Sequence, residues 1–406
     1  MKRILFMHQV SAIGGASYCM LAVLRGLDRE KFEPIVMLRQ DGVLADEVRS
    51  LGIEVVFLPN MPTVPYNQSL LYYRTLYTYI KVEITQKKFA KKLRSLNIDT
   101  VYFNNMMLYP YLKTAKQVGC RTIIHVREHW PKEEHQYQMS RARRYVRHYA
   151  DAVIAINHYS ASMFPECRTK MQIIYDWIDI EKRYEKRSFS DIFGVDSENL
   201  KVLLFTGGLG RIKGTYEVVK TFTDEIQGAE YRLLMMGSGL DYRLQGVCGK
   251  IKKIMMITGW KPYGYRVMEQ IKKDDRIICI SPTYNMVDFY RQAYCTLSYF
   301  TIPHANLALA EAVSLGTVAI AAMTEEALEY TNNGRGAVLF NINDKDDFSA
   351  KIRYVLANYE NVKEKTLQNS SAVRKRFSPD RNIRKLNQVC EDVSYNGNTL
   401  QNKRIN

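Results

Sequence analysis

Thr296 to Ala322 read TLSYFTIPHANLALAEAVSLGTVAIAA, and the order of apolar and polar positions along this stretch decides the fold. A short apolar run, Cys295 to Ser298, gives way to a loop carrying Pro303, His304 and Asn306. An Ala/Leu-rich helical segment follows, ended by Gly316, and Val318 to Ala322 is a second apolar run. The spacing predicts strand, loop, helix and strand, with Asn306 as N-cap and Gly316 at the left-handed position where helices stop. Glu311 is out of place in LALAEAV, because a carboxylate on a buried helix face costs several kcal/mol unless it is paired or hydrogen-bonded. In an open parallel sheet, ligands sit beyond the carboxyl ends of the strands, where helix N-termini also point. Glu311 therefore reads either as an acceptor for ligand hydroxyl groups or as a side chain that reaches solvent at the helix edge.

Outward from this stretch the same alternation repeats. Arg3 to His8 form a first strand, Gln9 to Ser17 a loop with Gly14-Gly15, and a helix runs on through Leu27. Further strands are expected at Phe32 to Leu38, Glu54 to Leu58, Thr100 to Phe103, Thr122 to Val126, Ala152 to Ile156 and Gln172 to Tyr175. Asp179 to Asn199 is polar and reads as a hinge region. The pattern then restarts with strands at Val202 to Thr206, Tyr231 to Met236, Arg276 to Ile280, Cys295 to Ser298, Val318 to Ala322 and Ala337 to Phe340. Strands alternating with helices at this pace mean βαβ units and parallel sheets. The expected architecture is α/β, two Rossmann-like doubly wound domains with an interdomain cleft. Residues 1–180 and 200–375 form the two domains, 376–394 a C-terminal helix packing back on the first, and 395–406 a frayed tail.

A chain of 406 residues exceeds what one hydrophobic core usually serves, which agrees with two domains. Its apolar and charged fractions are those of an ordinary globular protein. No run of about 18 apolar residues occurs, and MKRILFMHQV enters a strand pattern directly, so a cytoplasmic protein is expected. Seven scattered cysteines without a CxxC pair argue against a zinc site or a disulfide framework. The net charge of +16 suits nucleic acid, anionic lipid or phosphorylated small molecules. Nucleic acid is disfavoured, because no zinc finger, aromatic RNA-binding motif or basic recognition helix is visible.

Ser69 to Leu96 stands apart. Leu70, Tyr73, Tyr77, Ile80 and Ile84 recur at helical spacing, while Arg74, Lys81, Lys87, Lys88, Lys91, Lys92 and Arg94 face one acid, Glu83. Such a helix covers a sheet with a solvated basic face, or it lies on an anionic bilayer, each basic residue adding roughly 1 kcal/mol near the surface. Arg141, Arg143, Arg144, Arg147 and His148 form a second basic run.

The chemistry-bearing positions begin with TGGLGRIKG, where Arg211 and Lys213 follow a strand and precede a helix. Glycines let a backbone close on a diphosphate, helix N–H groups face it, and the cations neutralise it. A tight turn with exposed cations is the alternative. The stretch is neither a P-loop nor a correctly placed GxGxxG.

Together these segments resemble a GT-B-fold glycosyltransferase of family 4, the retaining, nucleotide-sugar-dependent group. Gly14-Gly15-Ala16-Ser17 resembles its N-terminal GGA loop, and IIYDWID (Ile173 to Asp179) its hinge entry. FTGGLGRIKG resembles its diphosphate loop, MMGSGLD (Met235 to Asp241) its G-x-G segment, and EYTNNGRGAVLF (Glu329 to Phe340) its E-x-x-x-x-G-x-x-G-x-L run. The resemblance implies that Lys213 holds the donor diphosphate with Arg211, that Glu311 holds the nucleotide ribose, and that Gly14 and Gly15 approach the transferred sugar. It further implies donor contacts at Gly208, Gly237, Gly239, His304, Asn306 and Leu307, and that His125 lies near the reacting carbon.

Two departures touch the donor site. Pro303 stands where the family has the first acid of its E-x7-E motif, with Ala305-Asn306 in place of the following F-G, and Gly208 stands where it has an Arg. The expected function is transfer of a sugar from a nucleoside diphosphate sugar to a glycan or lipid-linked acceptor in bacterial surface polysaccharide assembly. No cofactor or metal is expected. The protein would work in the cytoplasm or peripherally on the inner face of the cell membrane. Alternatives are an inactive GT-B-like binding or regulatory subunit and, further off, a nucleotide-sugar epimerase, for which carboxylates suited to proton abstraction are not evident.

Overall fold

The computed structural model describes residues 1–12, 14–64, 73–128, 136–179, 188–194, 199–237, 259, 261–281, 286–302 and 304–395. The chain divides into two compact units, Met1–Trp177 with Phe377–Asn406, and Ile178–Arg376.

The first unit is built on β1 (Lys2–Met7), β2 (Phe32–Leu38), β3 (Glu54–Phe57), β4 (Thr100–Phe103), β5 (Arg121–Val126), β6 (Ala152–Ala155) and β7 (Met171–Ile173). They form one parallel sheet in the order β3-β2-β1-β4-β5-β6-β7. Successive side chains of a strand face opposite sides, so Leu5 and Met7 join one apolar layer while Ile4 and Phe6 join the other. Both faces are covered, which is why these strands read as unbroken apolar runs. Each fully buried Phe or Leu contributes roughly 1.5–3 kcal/mol, so truncating Phe6 to Ala would cost about 3–5 kcal/mol.

Two helices complete those layers. Val82, Phe89 and Leu93 of the helix Tyr73–Ser95 enter the first layer, and its Thr85 hydroxyl meets that of Tyr111 at 2.9 Å. Leu386, Val389, Cys390 and Val393 of the helix Pro379–Ser394 enter the second. β7 ends at Ile173, short of the expected Tyr175: the Ile174 N–H still donates to Ala155 O at 3.0 Å, and the Tyr175 N–H, on the open edge of the sheet, donates to Asn382 Oδ1 of the same helix at 3.3 Å. Cys19, Cys120, Cys167, Cys295 and Cys390 are buried, Cys279 is half-buried, and Cys248 lies outside the described residues.

The second unit repeats the plan with six parallel strands, β8 (Lys201–Phe205), β9 (Tyr231–Met236), β10 (Ile277–Ile280), β11 (Cys295–Ser298), β12 (Ala319–Ala322) and β13 (Val338–Phe340). Their order is β10-β9-β8-β11-β12-β13. The helix Leu307–Ser314 joins β11 to β12 as its sequence predicts: Asn306 caps it by accepting from the Leu309 N–H at 3.2 Å. Gly316, at φ +77, ends it, with the Gly316 N–H bonded to Val313 O and the Thr317 N–H to Ala312 O. In each unit the strand order reverses once, between β1 and β4 and between β8 and β11, and those two points are where this class of sheet receives ligands.

Candidate active site

In the second unit the loop after β8 approaches its neighbours too closely for side chains. Gly208 sits at φ +64 with its Cβ position 3.2 Å from Gly237 O, and Gly214 sits at φ +62 with its Cβ position 2.5 Å from Tyr299 O. An arginine at the Gly208 position would meet that left-handed backbone, so the departure from the family pattern is built into the turn. Thr215 Oγ1 donates to Gly208 O at 2.9 Å and to Gly210 O at 3.1 Å, fixing the loop on the helix Thr215–Glu225.

The turn Arg211–Lys213 separates two cations that the sequence presents as equals. Arg211 is exposed, whereas Lys213 folds back and is half-buried. The Lys213 Nζ lies 3.8 Å from the centroid of the Phe300 ring, in the loop after β11. Burial pushes its pKa down to about 8, and no carboxylate offsets that burial. The Phe300 ring stacks on His304 at 4.8 Å and 19°, and His304 Nδ1 donates to Ala305 O at 2.7 Å. Asn306 Nδ2 donates to Ser298 Oγ at 2.5 Å, tying the loop to the end of β11. The first donor loop and Leu307 thus lie on the two sides of the β8/β11 reversal. Gly237 closes β9 at φ +96, while Gly239 and Pro303 lie outside the described residues.

Glu311 is half-buried on the helix after that loop, and burial pushes its carboxyl up to about 7. The buried Tyr290 hydroxyl approaches it without meeting the geometry of a hydrogen bond. Of the two readings open in the sequence, a side chain released to solvent is the one this position does not fit.

In the first unit the strand ends after β1, β4 and β5 hold a polar chain. Arg127 donates to Asp176, to Asn104 Oδ1 at 3.3 Å and to His125 Nδ1 at 3.2 Å. Asn104 Nδ2 donates onward to His8 Nδ1 at 3.2 Å, and His8 Nε2 donates to Ser17 Oγ at 3.1 Å, whose own hydrogen goes to Ala12 O. Burial, with Arg127 adding to it, pushes His8 down to about 3, so its ring stays neutral. His125 also accepts from the Tyr102 hydroxyl at 2.5 Å, which leaves its proton on Nε2; that atom is buried without a partner. Glu128, next to Arg127, accepts from the Met106 and Arg127 N–H groups at 2.8 and 3.2 Å, and burial pushes its carboxyl up to about 7. Side chains at Gly14 or Gly15 would meet nothing within 4 Å, so the packing of this unit does not require glycine there.

Sequence reasoning reached His125 but not His8, Asn104, Arg127, Glu128 or Asp176. The available signal was a charged pair, Arg127-Glu128, directly after the strand Arg121–Val126.

Residues 13–182 match the model of the family described as Glycosyltransferase Family 4. No curated protein sequence matches the chain. Among solved structures, HepE of Anabaena in complex with UDP-glucose is 16% identical, with a TM-score of 0.74 over 97% of this chain and 100% of that one. Sucrose-phosphate synthase of Thermosynechococcus elongatus is 13% identical, with a TM-score of 0.67 over 97% and 99%. A UDP-N-acetylglucosamine 2-epimerase is 11% identical, with a TM-score of 0.56 over 91% of each chain. The family resemblance is thereby matched over residues 13–182, which hold the GGA-like loop and the hinge entry, and the fold of the solved relatives over nearly the whole chain.

Proposed function

We propose, from a first unit that matches Glycosyltransferase Family 4 and a GT-B fold throughout, that this chain is a glycosyltransferase using a UDP-sugar donor. The reading continues that it passes the sugar, with retention, to a glycan or lipid-linked acceptor in bacterial surface polysaccharide assembly. It works in the cytoplasm or on the inner face of the cell membrane. The observation that carries it is that the loop after β8 and the helix after β11, on the two sides of the strand-order reversal, bring a half-buried cation without a carboxylate to offset it, Lys213, and a half-buried carboxyl raised to about 7, Glu311. HepE was solved with UDP-glucose, which supports uridine as the base.

Lys213 would meet the diphosphate and Glu311 the ribose hydroxyls. Transfer breaks the bond from the sugar carbon to the diphosphate oxygen, and the electron pair leaves with the diphosphate. The acceptor oxygen bonds to that carbon, and its proton passes to the departing phosphate. Lys213 and the positive ends of the helices Thr215–Glu225 and Leu307–Ser314 stabilise the charge that develops. Positive charge from the protein makes a metal unnecessary in this reading, and turnover unchanged by EDTA is expected.

Calorimetric titration of the full chain with UDP, ADP and GDP, followed by assays of UDP release from a donor panel, tests the proposal. UDP binding with release on acceptor addition is expected. Binding without release from any donor and acceptor would favour the inactive subunit, appearance of an epimeric donor would favour the epimerase, and no binding at all would sink the site assignment.

A further inference from the structure

The helix Tyr73–Ser95 does more on its outer side than covering a sheet requires. Its inner side is accounted for by Val82, Thr85, Phe89 and Leu93. On the outer side Leu76, Tyr77, Ile80 and Ile84 are 60, 56, 52 and 60% exposed. At about 100° per residue these four share one face, which also bears the exposed Glu83 and continues as Lys87, Lys88, Lys91 and Arg94. One surface is thus apolar over its first turns and cationic over its last. A single exposed leucine needs no explanation, but four large apolar side chains on adjacent turns form a patch.

The surroundings carry the same chemistry. Arg141 of the helix Gln136–Tyr149 lies 4.3 Å from the Tyr79 ring centroid. On the face of that helix which bears Arg141 stand Tyr137, 61% exposed, and the exposed Arg144 and His148. Beside Tyr77 opens a cavity of about 270 Å³ whose lining includes Arg39, Thr63 and Lys81 and no acid. The first unit holds 30 basic against 18 acidic residues, the second 28 against 24, so most of the net charge belongs to the unit bearing this face.

We infer that this face binds an anionic bilayer. Leu76, Tyr77, Ile80 and Ile84 enter the boundary of the acyl chains, Lys87 to Arg94 rest among the headgroups, and the Arg39 and Lys81 cavity receives a lipid phosphate. The inference names the partner for the membrane placement in the proposed function and rests on that placement, but not on the donor site.

Flotation of the full chain with phosphatidylcholine vesicles, with and without about a third phosphatidylglycerol, provides the test. Binding only to the anionic vesicles, weakened by salt, is expected. Ile80→Glu with Ile84→Glu should weaken binding about tenfold or more, and Lys87→Gln, Lys88→Gln and Lys91→Gln together about a hundredfold. Both variants change exposed residues only and should keep the wild-type melting curve. Lys213→Ala should float as the wild type does, so failure of the donor site and failure of this face are separable. Absence of anionic binding, or binding unchanged in both variants, overturns the inference. So does concentration-dependent self-association abolished by Ile80→Glu with Ile84→Glu, which would make a second copy the occupant.

Discussion

The two units share a winding plan yet treat charge in opposite ways at the reversal of strand order. In the first, Arg127, Asn104, His8, Ser17 and Asp176 satisfy one another in a continuous chain. In the second, Lys213 rests on an aromatic ring with no carboxylate to offset its burial, and the Tyr290 hydroxyl beside Glu311 offsets the burial of that carboxyl only in part. Closed polar networks hold a shape, whereas open ones hold affinity in reserve for whatever arrives. The contrast favours the second unit's strand ends for the proposed donor site, while in the first His125 Nε2 stays buried without a partner.

The largest effect should come from breaking the closed network. Arg127→Met leaves Asp176 without its partner and is expected to lower folding stability by about 3–5 kcal/mol in denaturant unfolding. A loss below about 1 kcal/mol would mean the chain of hydrogen bonds is not holding the fold. Next in size, Lys213→Ala should weaken UDP binding by about ten- to hundredfold, equivalent to a charge-assisted contact of about 1.5–3 kcal/mol. The same substitution should leave stability unchanged or raised, since it removes a desolvated cation, and a marked loss of stability would place Lys213 among the structural residues.

The pH dependence sharpens the contrast further. With Lys213 at about 8, UDP affinity should fall about tenfold between pH 7 and 9 in the wild type, and this fall should be lost in Lys213→Ala, which keeps only the titration of Glu311. The folded form releases this proton before the unfolded form does, so the lysine's penalty on stability lifts as pH rises from about 8 towards 10.5. Glu311 has the reverse sign. Its raised carboxyl favours the folded state at low pH, and that stability is lost as pH climbs from about 4.5 through 7. Glu311→Gln should flatten this profile and weaken UDP binding a few-fold at pH 8, the smallest of these effects. Unchanged UDP affinity in that variant would release Glu311 from the ribose role.

The thirteen strands of the described residues were legible because parallel strands buried on both faces are written as uninterrupted apolar runs, and most of their ends shift by at most a single residue. Just past β7 the Tyr175 N–H is taken by Asn382, more than two hundred positions later, and no local pattern could announce that bond. Asn306 and Gly316 were equally legible, since caps are local chemistry. The closed network was not. His8, Asn104, Arg127 and Asp176 come from four separate segments, and each is unremarkable until the sheet brings them together. Arg211 and Lys213 were both read as diphosphate cations, and only the path of one short turn reveals that Lys213 alone folds inward.

The first unit is interrupted in sequence, and that has a consequence for biosynthesis. Leu386, Val389, Cys390 and Val393 fill one of its apolar layers, so the first unit cannot finish its core until Pro379–Ser394 has been translated. The second unit, contiguous from Ile178 to Arg376, has all its residues earlier. A ribosome stalled just short of Phe377 should therefore carry a folded later lobe and an unfinished earlier one, reversing the usual N-terminal-first order of emergence.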